Sequence, residues 1–230
     1  SDKVVNQLLD YKRKEFIETE LVTAEECQPY LKRDSVTWIH IQGKFQLKKI
    51  KNIGKIFELH PLALEDILNK GQRPKLEEYD NQLFVIMAMP HQLDDVIIVD
   101  QVSMFLGENY IVSFCASAFD PFASLRKRLS QKNARIRQQK ADYILYCILD
   151  IVIDEGYPVL EKFAEKMEKI EEDLLKSFAT QSNYKDIHHL RRDLVLLRRN
   201  IWPQREVLND LLRNENILIS KETGIYLRDC

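Results

Sequence analysis

The side chains able to attack a substrate or grip a soft metal are few and scattered along this chain. Cys27, Cys115, Cys147 and Cys230 form no CxxC pair and no other metal-ligand spacing. Cys115 and Cys147 fall in apolar stretches, where a thiol stays protonated and unreactive. His188 and His189 are adjacent, so on a helix they point from different faces. His40, His60 and His91 lie far apart, and neither HxxxH nor HExxH occurs. Gly43, Gly54 and Gly71 stand alone; there is no GxGxxG, no phosphate-cradling loop and no GxSxG. The expectation is a chain that is not an enzyme and has no dedicated zinc site.

The charges are more numerous than the nucleophiles but nearly cancel: 34 basic against 36 acidic residues, a net charge of −2. That balance gives no general pull toward nucleic acid, so no nucleic-acid partner is expected. Residues 125–140 hold seven basic side chains and no acid. Residues 161–173 hold six acids, Glu161, Glu165, Glu168, Glu171, Glu172 and Asp173, with Lys162, Lys166 and Lys169 interleaved as helix pairs on a solvated face. Apolar runs such as 83–89 and 143–149 fall far short of the roughly 20 residues a membrane span needs. Lys3, Asp10 and the Lys12-Arg13-Lys14 run break any N-terminal signal core. These features, with unpaired cysteines, predict a soluble chain in a reducing compartment.

The elements that must position such charges divide at about residue 130. Residues 36–41, rich in β-branched and aromatic side chains, predict a strand. Residues 83–89 predict a strand buried on both faces and ended by Pro90. Residues 96–106 and 110–114 flank Gly107-Glu108-Asn109, a hairpin turn, and residues 16–22 add an outer strand. Helices are predicted at 24–32, at 46–58 with Ile50, Ile53 and Phe57 on one face, from Pro61 to about 69, and after Asp120, which is read as the cap of a helix with Pro121 at its first position. The fold class is therefore α/β: a layered α/β/α domain with a mixed sheet over residues 1–130.

Beyond residue 130 the spacing changes. Leu160, Phe163, Met167, Ile170 and Leu174 recur at intervals of three and four, and Ile187, Leu190, Leu194, Leu197 and Ile201 repeat the pattern. Two heptad seams joined by the polar residues 177–184 predict a long antiparallel helical hairpin within 131–220. Pro158 and Pro203 are expected to bend or break these helices. Residues 221–230 read as the uncapped start of a further helix, as in a piece of a longer polypeptide.

One segment carries a resemblance: His60-Pro61-Leu62-Ala63-Leu64-Glu65-Asp66-Ile67-Leu68-Asn69, then Gln72-Arg73-Pro74-Lys75 and Glu78-Tyr79. It closely resembles a segment of the CorA family of divalent-cation channels. Ala141-Asp142-Tyr143-Ile144-Leu145-Tyr146, Ile201-Trp202-Pro203 with Arg205-Glu206-Val207-Leu208, and Tyr226-Leu227-Arg228-Asp229 match in order and spacing. The resemblance implies the cytoplasmic portion of a magnesium transporter, an N-terminal α/β domain leading into long helices and the start of a stalk helix. The family assembles as a homopentamer, and its Gly-Met-Asn pore signature and membrane spans are not in this sequence. The implied place is the cytoplasmic face of the inner membrane, reached only through a C-terminal segment beyond these residues; this piece alone is expected to be monomeric or weakly associating.

Carried over residue by residue, the resemblance implies a regulatory metal site between subunits: Asp66 on one copy and Asp229 on its neighbour, with Glu65 and Asp150 at a second nearby site. Magnesium is the implied ion, with Co2+, Ni2+ or Ca2+ able to substitute, and oxygen donors with retained water suit such hard cations. Each residue has a plainer reading. Asp66 and Glu65 would face water from a short helix, Asp229 would fray, and Asp150 would pair with Arg135 or Arg137. Two other functions compete: a soluble helical adaptor without a metal role, and the cytosolic domain of a zinc-transporting relative.

Overall fold

The structure, a computed structural model, describes residues 5–94, 96–176, 181–213 and 217–230. Seven strands form one mixed sheet: β1 (Val5–Tyr11), β2 (Phe16–Glu20), β3 (Val36–Gln42), β4 (Lys75–Tyr79), β5 (Gln82–Leu93), β6 (Val96–Leu106) and β7 (Tyr110–Cys115), in the order β2-β1-β3-β7-β6-β5-β4. Only β3 and β7 run parallel, with Ile39 opposite Val112; every other pair is antiparallel.

Strand alternation sends side chains to two cores, as a sheet covered on both faces requires. Leu9, Trp38, Val85, Met104 and Ile111 point to one face, and Leu8, Ile39, Phe84, Phe105 and Val112 to the other. On the second face lie α1 (Gln28–Leu31) with the 3-10 turn before it, α2 (Leu47–Ile56) and α3 (Pro61–Leu68). Ile50, Ile53, Ala63 and Ile67 are buried there. Gly54 lets α3 approach α2 closely, since a Cβ at this position would stand 2.5 Å from Leu64 Cδ1. On the first face lie α4 (Ala123–Ser130), α5 (Ala141–Asp154), part of α7 (Gln181–Arg213) and α8 (Lys221–Leu227), through Leu125, Leu145, Ile148, Val207, Leu211 and Leu227. The remaining helix, α6 (Tyr157–Lys176), packs on α7, with residues 166–173 facing residues 186–193 across a cleft of about 450 Å³. No helix among the described residues is long and apolar enough to cross a membrane.

The α/β expectation agrees with this architecture, and several local readings do not. The strand ended by Pro90 runs on to Leu93, with Pro90 opposite Val99. Because β4 pairs only with Gln82–Ile86, β5 is an edge beyond that point, where a missing N–H is tolerated. The helix read from Pro121 begins at Ala123; Asp120 Oδ1 instead accepts from the Phe122 N–H in the preceding turn. Pro158 breaks nothing, because it sits in the first turn of α6, and Pro203 lies inside α7 without ending it. The polar connector read at 177–184 lies partly outside the described residues, and α7 already begins at Gln181. Ser220 caps α8: its Oγ accepts from the Thr223 N–H, and its own N–H donates to Asp142 Oδ2 at 2.8 Å. The helical seam is only partly covered, since Leu197 is buried whereas Leu160, Met167, Leu174, Ile187 and Leu194 are exposed. Each seam in a two-helix layer has a single partner helix to bury it.

Candidate metal centre

α3 starts where His60 leaves extended backbone and its Nδ1 accepts from the Leu62 N–H, with Pro61 in the first turn. The His60 ring stacks on Tyr79 of β4, centroids 4.3 Å apart, and so ties the helix start to the edge strand. Six residues after His60, Asp66 reaches the same strand. Its Oδ2 accepts from Lys75 Nζ at 2.7 Å, and its side chain is 20% exposed. The same ammonium reaches Glu77 Oε1 at 2.7 Å, and Glu77 Oε2 accepts from the Tyr79 hydroxyl at 2.6 Å. Despite some burial, the hydrogen bonds from Lys75 and Tyr79 hold the Glu77 carboxyl below its ordinary value, and its two carboxylate partners raise Lys75. Glu65 is exposed beside this cluster.

The other acids gather around the chain's end. Tyr226 of α8 packs its ring on Tyr143 and Tyr146 of α5, centroids 5.3 Å away in both cases, which docks α8 one turn from Asp150. Asp229 is exposed, with its N–H donating to Tyr226 O at 3.0 Å. The Cys230 thiol donates to Asp150 Oδ1 at 3.9 Å. Burial and the neighbouring Asp154 push the Asp150 carboxyl upward, opposed by the Cys230 hydrogen bond and Arg128. Arg137 does not pair with Asp150: it is buried, donates to the Leu129 and Gln131 carbonyls, and lies over the Phe16 ring. With Arg126 paired to Asp120, part of the basic 125–140 stretch is internal structure rather than a charged surface.

The four carboxylates are thus split. Asp66 and Glu65 belong to a helix on one face of the sheet, and Asp150 and Asp229 to elements on the other. Among the described residues no group of three His, Cys, Asp or Glu side chains is placed to hold a metal. Each half nonetheless offers carboxylate oxygens alone, the donor type a hydrated hard dication takes. Three of the five histidines are otherwise engaged: His40 is enclosed in the core, His91 Nε2 meets Asp100 Oδ2 at 2.8 Å, and His60 caps α3; His188 and His189 are exposed on α7.

The family model described as "CorA-like Mg2+ transporter protein" matches residues 33–230. The chain belongs to the CorA family. A cobalt/magnesium transport protein CorA of Thermotoga maritima is 35% identical over 229 residues, covering 97% of this chain and 64% of that protein. This CorA-family chain therefore spans somewhat under two thirds of that relative's length. The soluble domain of CorA from Methanocaldococcus jannaschii superposes with a TM-score of 0.76 at 18% identity, covering 96% of this chain and 85% of that one. The ZntB cytoplasmic domain of Vibrio parahaemolyticus gives 0.71 at 12%, covering 99% and 88%. At these identities the two structures share the CorA fold with this chain.

Two residues of the site escaped the sequence reading. Lys75 stands in the quoted Gln72-Arg73-Pro74-Lys75 run, but the sequence pattern predicts no element for the strand that carries it. Asp154, four residues after Asp150 on α5, was legible from helical spacing alone. Like charges at that spacing repel by about 0.2–0.5 kcal/mol. Asp150→Asn is accordingly expected to raise metal-free stability by about that amount, read by urea denaturation; a loss of stability would mean that the Cys230 contact and Arg128 outweigh the repulsion.

Proposed function

We propose that this chain is the cytoplasmic ion-sensing domain of a CorA-type magnesium/cobalt transporter, and that Asp66 of one copy and Asp229 of the partner subunit take one hydrated Mg2+ between them, with Glu65 and Asp150 alongside. The observation that carries this reading is the split of the carboxylates across the sheet of a CorA-family chain. One copy presents α3 on one side and the α5–α8 end on the other, so a head-to-tail ring repeats the pairing at every interface, as heterologous closed assembly requires. Without a cation between them, these facing carboxylates repel. With one, the tight symmetric arrangement is favoured, and the population shifts toward it. In the whole transporter, an assembly in which the pore is shut is thereby stabilised when magnesium is plentiful. Co2+, Ni2+ and Ca2+ are expected to substitute, since the donors are oxygens.

Titration of the chain with MgCl2 in the millimolar range, followed by sedimentation velocity and thermal melting, tests this. The expected result is a rise in melting temperature together with a shift to larger species, both reversed by EDTA. An adaptor with no metal role would show neither.

A further inference from the structure

The Asp66 carboxylate already has a cation on it, and that cation belongs to the chain. Lys75 Nζ sits 2.7 Å from Asp66 Oδ2 and 2.7 Å from Glu77 Oε1, bridging helix α3 to strand β4. Glu77 is held independently by the Tyr79 hydroxyl, and Tyr79 by the stacked His60 ring at the start of the helix that carries Asp66. The backbone of Asp66 is fixed too, its carbonyl accepting from Gln101 Nε2 at 2.8 Å. The Glu77 carboxylate and the Asp66 backbone are therefore held independently of the ammonium. An ammonium released from Asp66 keeps a carboxylate partner without leaving the cluster.

We propose that Lys75 is a built-in counter-cation that competes with the divalent ion for Asp66 and sets the concentration at which the site fills. This rests on the reading of Asp66 as an ion ligand. In the empty state the ammonium is shared between Asp66 and Glu77, so the three side chains keep a net negative charge and a facing carboxylate is still repelled. Filling then requires an exchange: the dication takes Asp66, and Lys75 retreats onto Glu77 alone. That exchange lowers the affinity, as suits a site that must empty when magnesium falls. Glu77 makes the exchange feasible, because without it the displaced ammonium would lose its only other carboxylate.

Magnesium midpoints from calorimetry and from melting, measured on the 230-residue chain, test the idea with a set of variants. Lys75→Met is expected to lower the midpoint about two- to fivefold, the range that corresponds to losing a partly exposed ion pair as competitor. Lys75→Arg, which keeps the charge, is expected to stay near wild type. Glu77→Gln leaves Lys75 with Asp66 alone and is expected to raise the midpoint. Arg73→Gln removes a positive charge two residues before Lys75 in the chain, and is expected to move it less than twofold. An unchanged or raised midpoint in Lys75→Met, with the response still abolished by Asp66→Asn, overturns the role of Lys75 and leaves the sensor reading standing. An equal drop in Arg73→Gln overturns it as well, since a general field effect would then suffice. A magnesium response untouched by Asp66→Asn removes the sensor reading itself, and the competition with it.

Discussion

Asp66→Ala is expected to erase the magnesium-dependent rise in melting temperature while leaving the metal-free chain almost as stable as before. A site half-filled at about 1 mM and read at about 20 mM stabilises the native state by RT ln 21, about 1.8 kcal/mol, or about 4–7 °C for a chain of this size. Truncating Asp66 removes the ligand and with it that gain. The metal-free cost is small for a reason visible in the cluster: Lys75 still has Glu77 at 2.7 Å, and the lost pair is partly exposed. Such pairs contribute about 1 kcal/mol at most. The two quantities therefore separate, and differential scanning fluorimetry with and without MgCl2 reads both. If the variant kept the full rise, Asp66 would have no part in ion binding. If it fell by several kcal/mol without metal, its structural role would outweigh the sensory one.

How much of this could be read from residues alone depended on where each contact partner lies in the chain. Strands with an apolar run, such as β5, and the hairpin at Gly107-Glu108-Asn109 declared themselves locally. β1 did not: Leu8 and Leu9 are both buried, on opposite faces, because the strand lies between β2 and β3, so its pattern lacks alternation. β4, Lys-Leu-Glu-Glu-Tyr, is a polar edge strand with no apolar run to mark it, yet it carries the partners of Asp66. The family segment singled out Asp66 and Glu65 without giving any hint of Lys75, because a helix-to-strand ion pair depends on how α3 lies against the sheet edge. The same limit applied to Asp150. Arg135 and Arg137 were plausible partners by proximity in sequence, but Arg137 turned inward to satisfy backbone carbonyls. Its actual neighbour, Cys230, sits 80 residues away.

The largest pH effect is expected from a residue outside the site. His40 is fully buried on β3, between Trp38 and Phe122. Its Nδ1 lies 2.8 Å from Ser113 Oγ and its Nε2 3.2 Å from Gln42 Oε1. Gln42 spends its amide N–H groups on the carbonyls of Ser117 and Phe119, so its oxygen accepts, which assigns the ring proton to Nε2 and leaves Nδ1 to accept from the Ser113 hydroxyl. A second proton, on Nδ1, would have to share the Ser113 oxygen with Trp38 Nε1 and turn the hydroxyl onto the Ile39 carbonyl at 3.4 Å. Burial drives the His40 pKa down to about 4; the Gln42 contact and Asp120 oppose that shift and Arg126 reinforces it. In the unfolded chain the ring titrates near 6.5. Between these values the unfolded state binds a proton that the native state refuses, so this contribution is complete above pH 6.5 and is lost as pH falls toward 4. At about 1.4 kcal/mol per pH unit the loss reaches about 3 kcal/mol, a large part of the stability of an ordinary domain. Urea denaturation between pH 7 and pH 4 should show wild type losing about that much more than His40→Gln, which cannot titrate. Parallel pH profiles for the two proteins would mean that His40 accepts its proton in the folded state, and that the core network opens to let it.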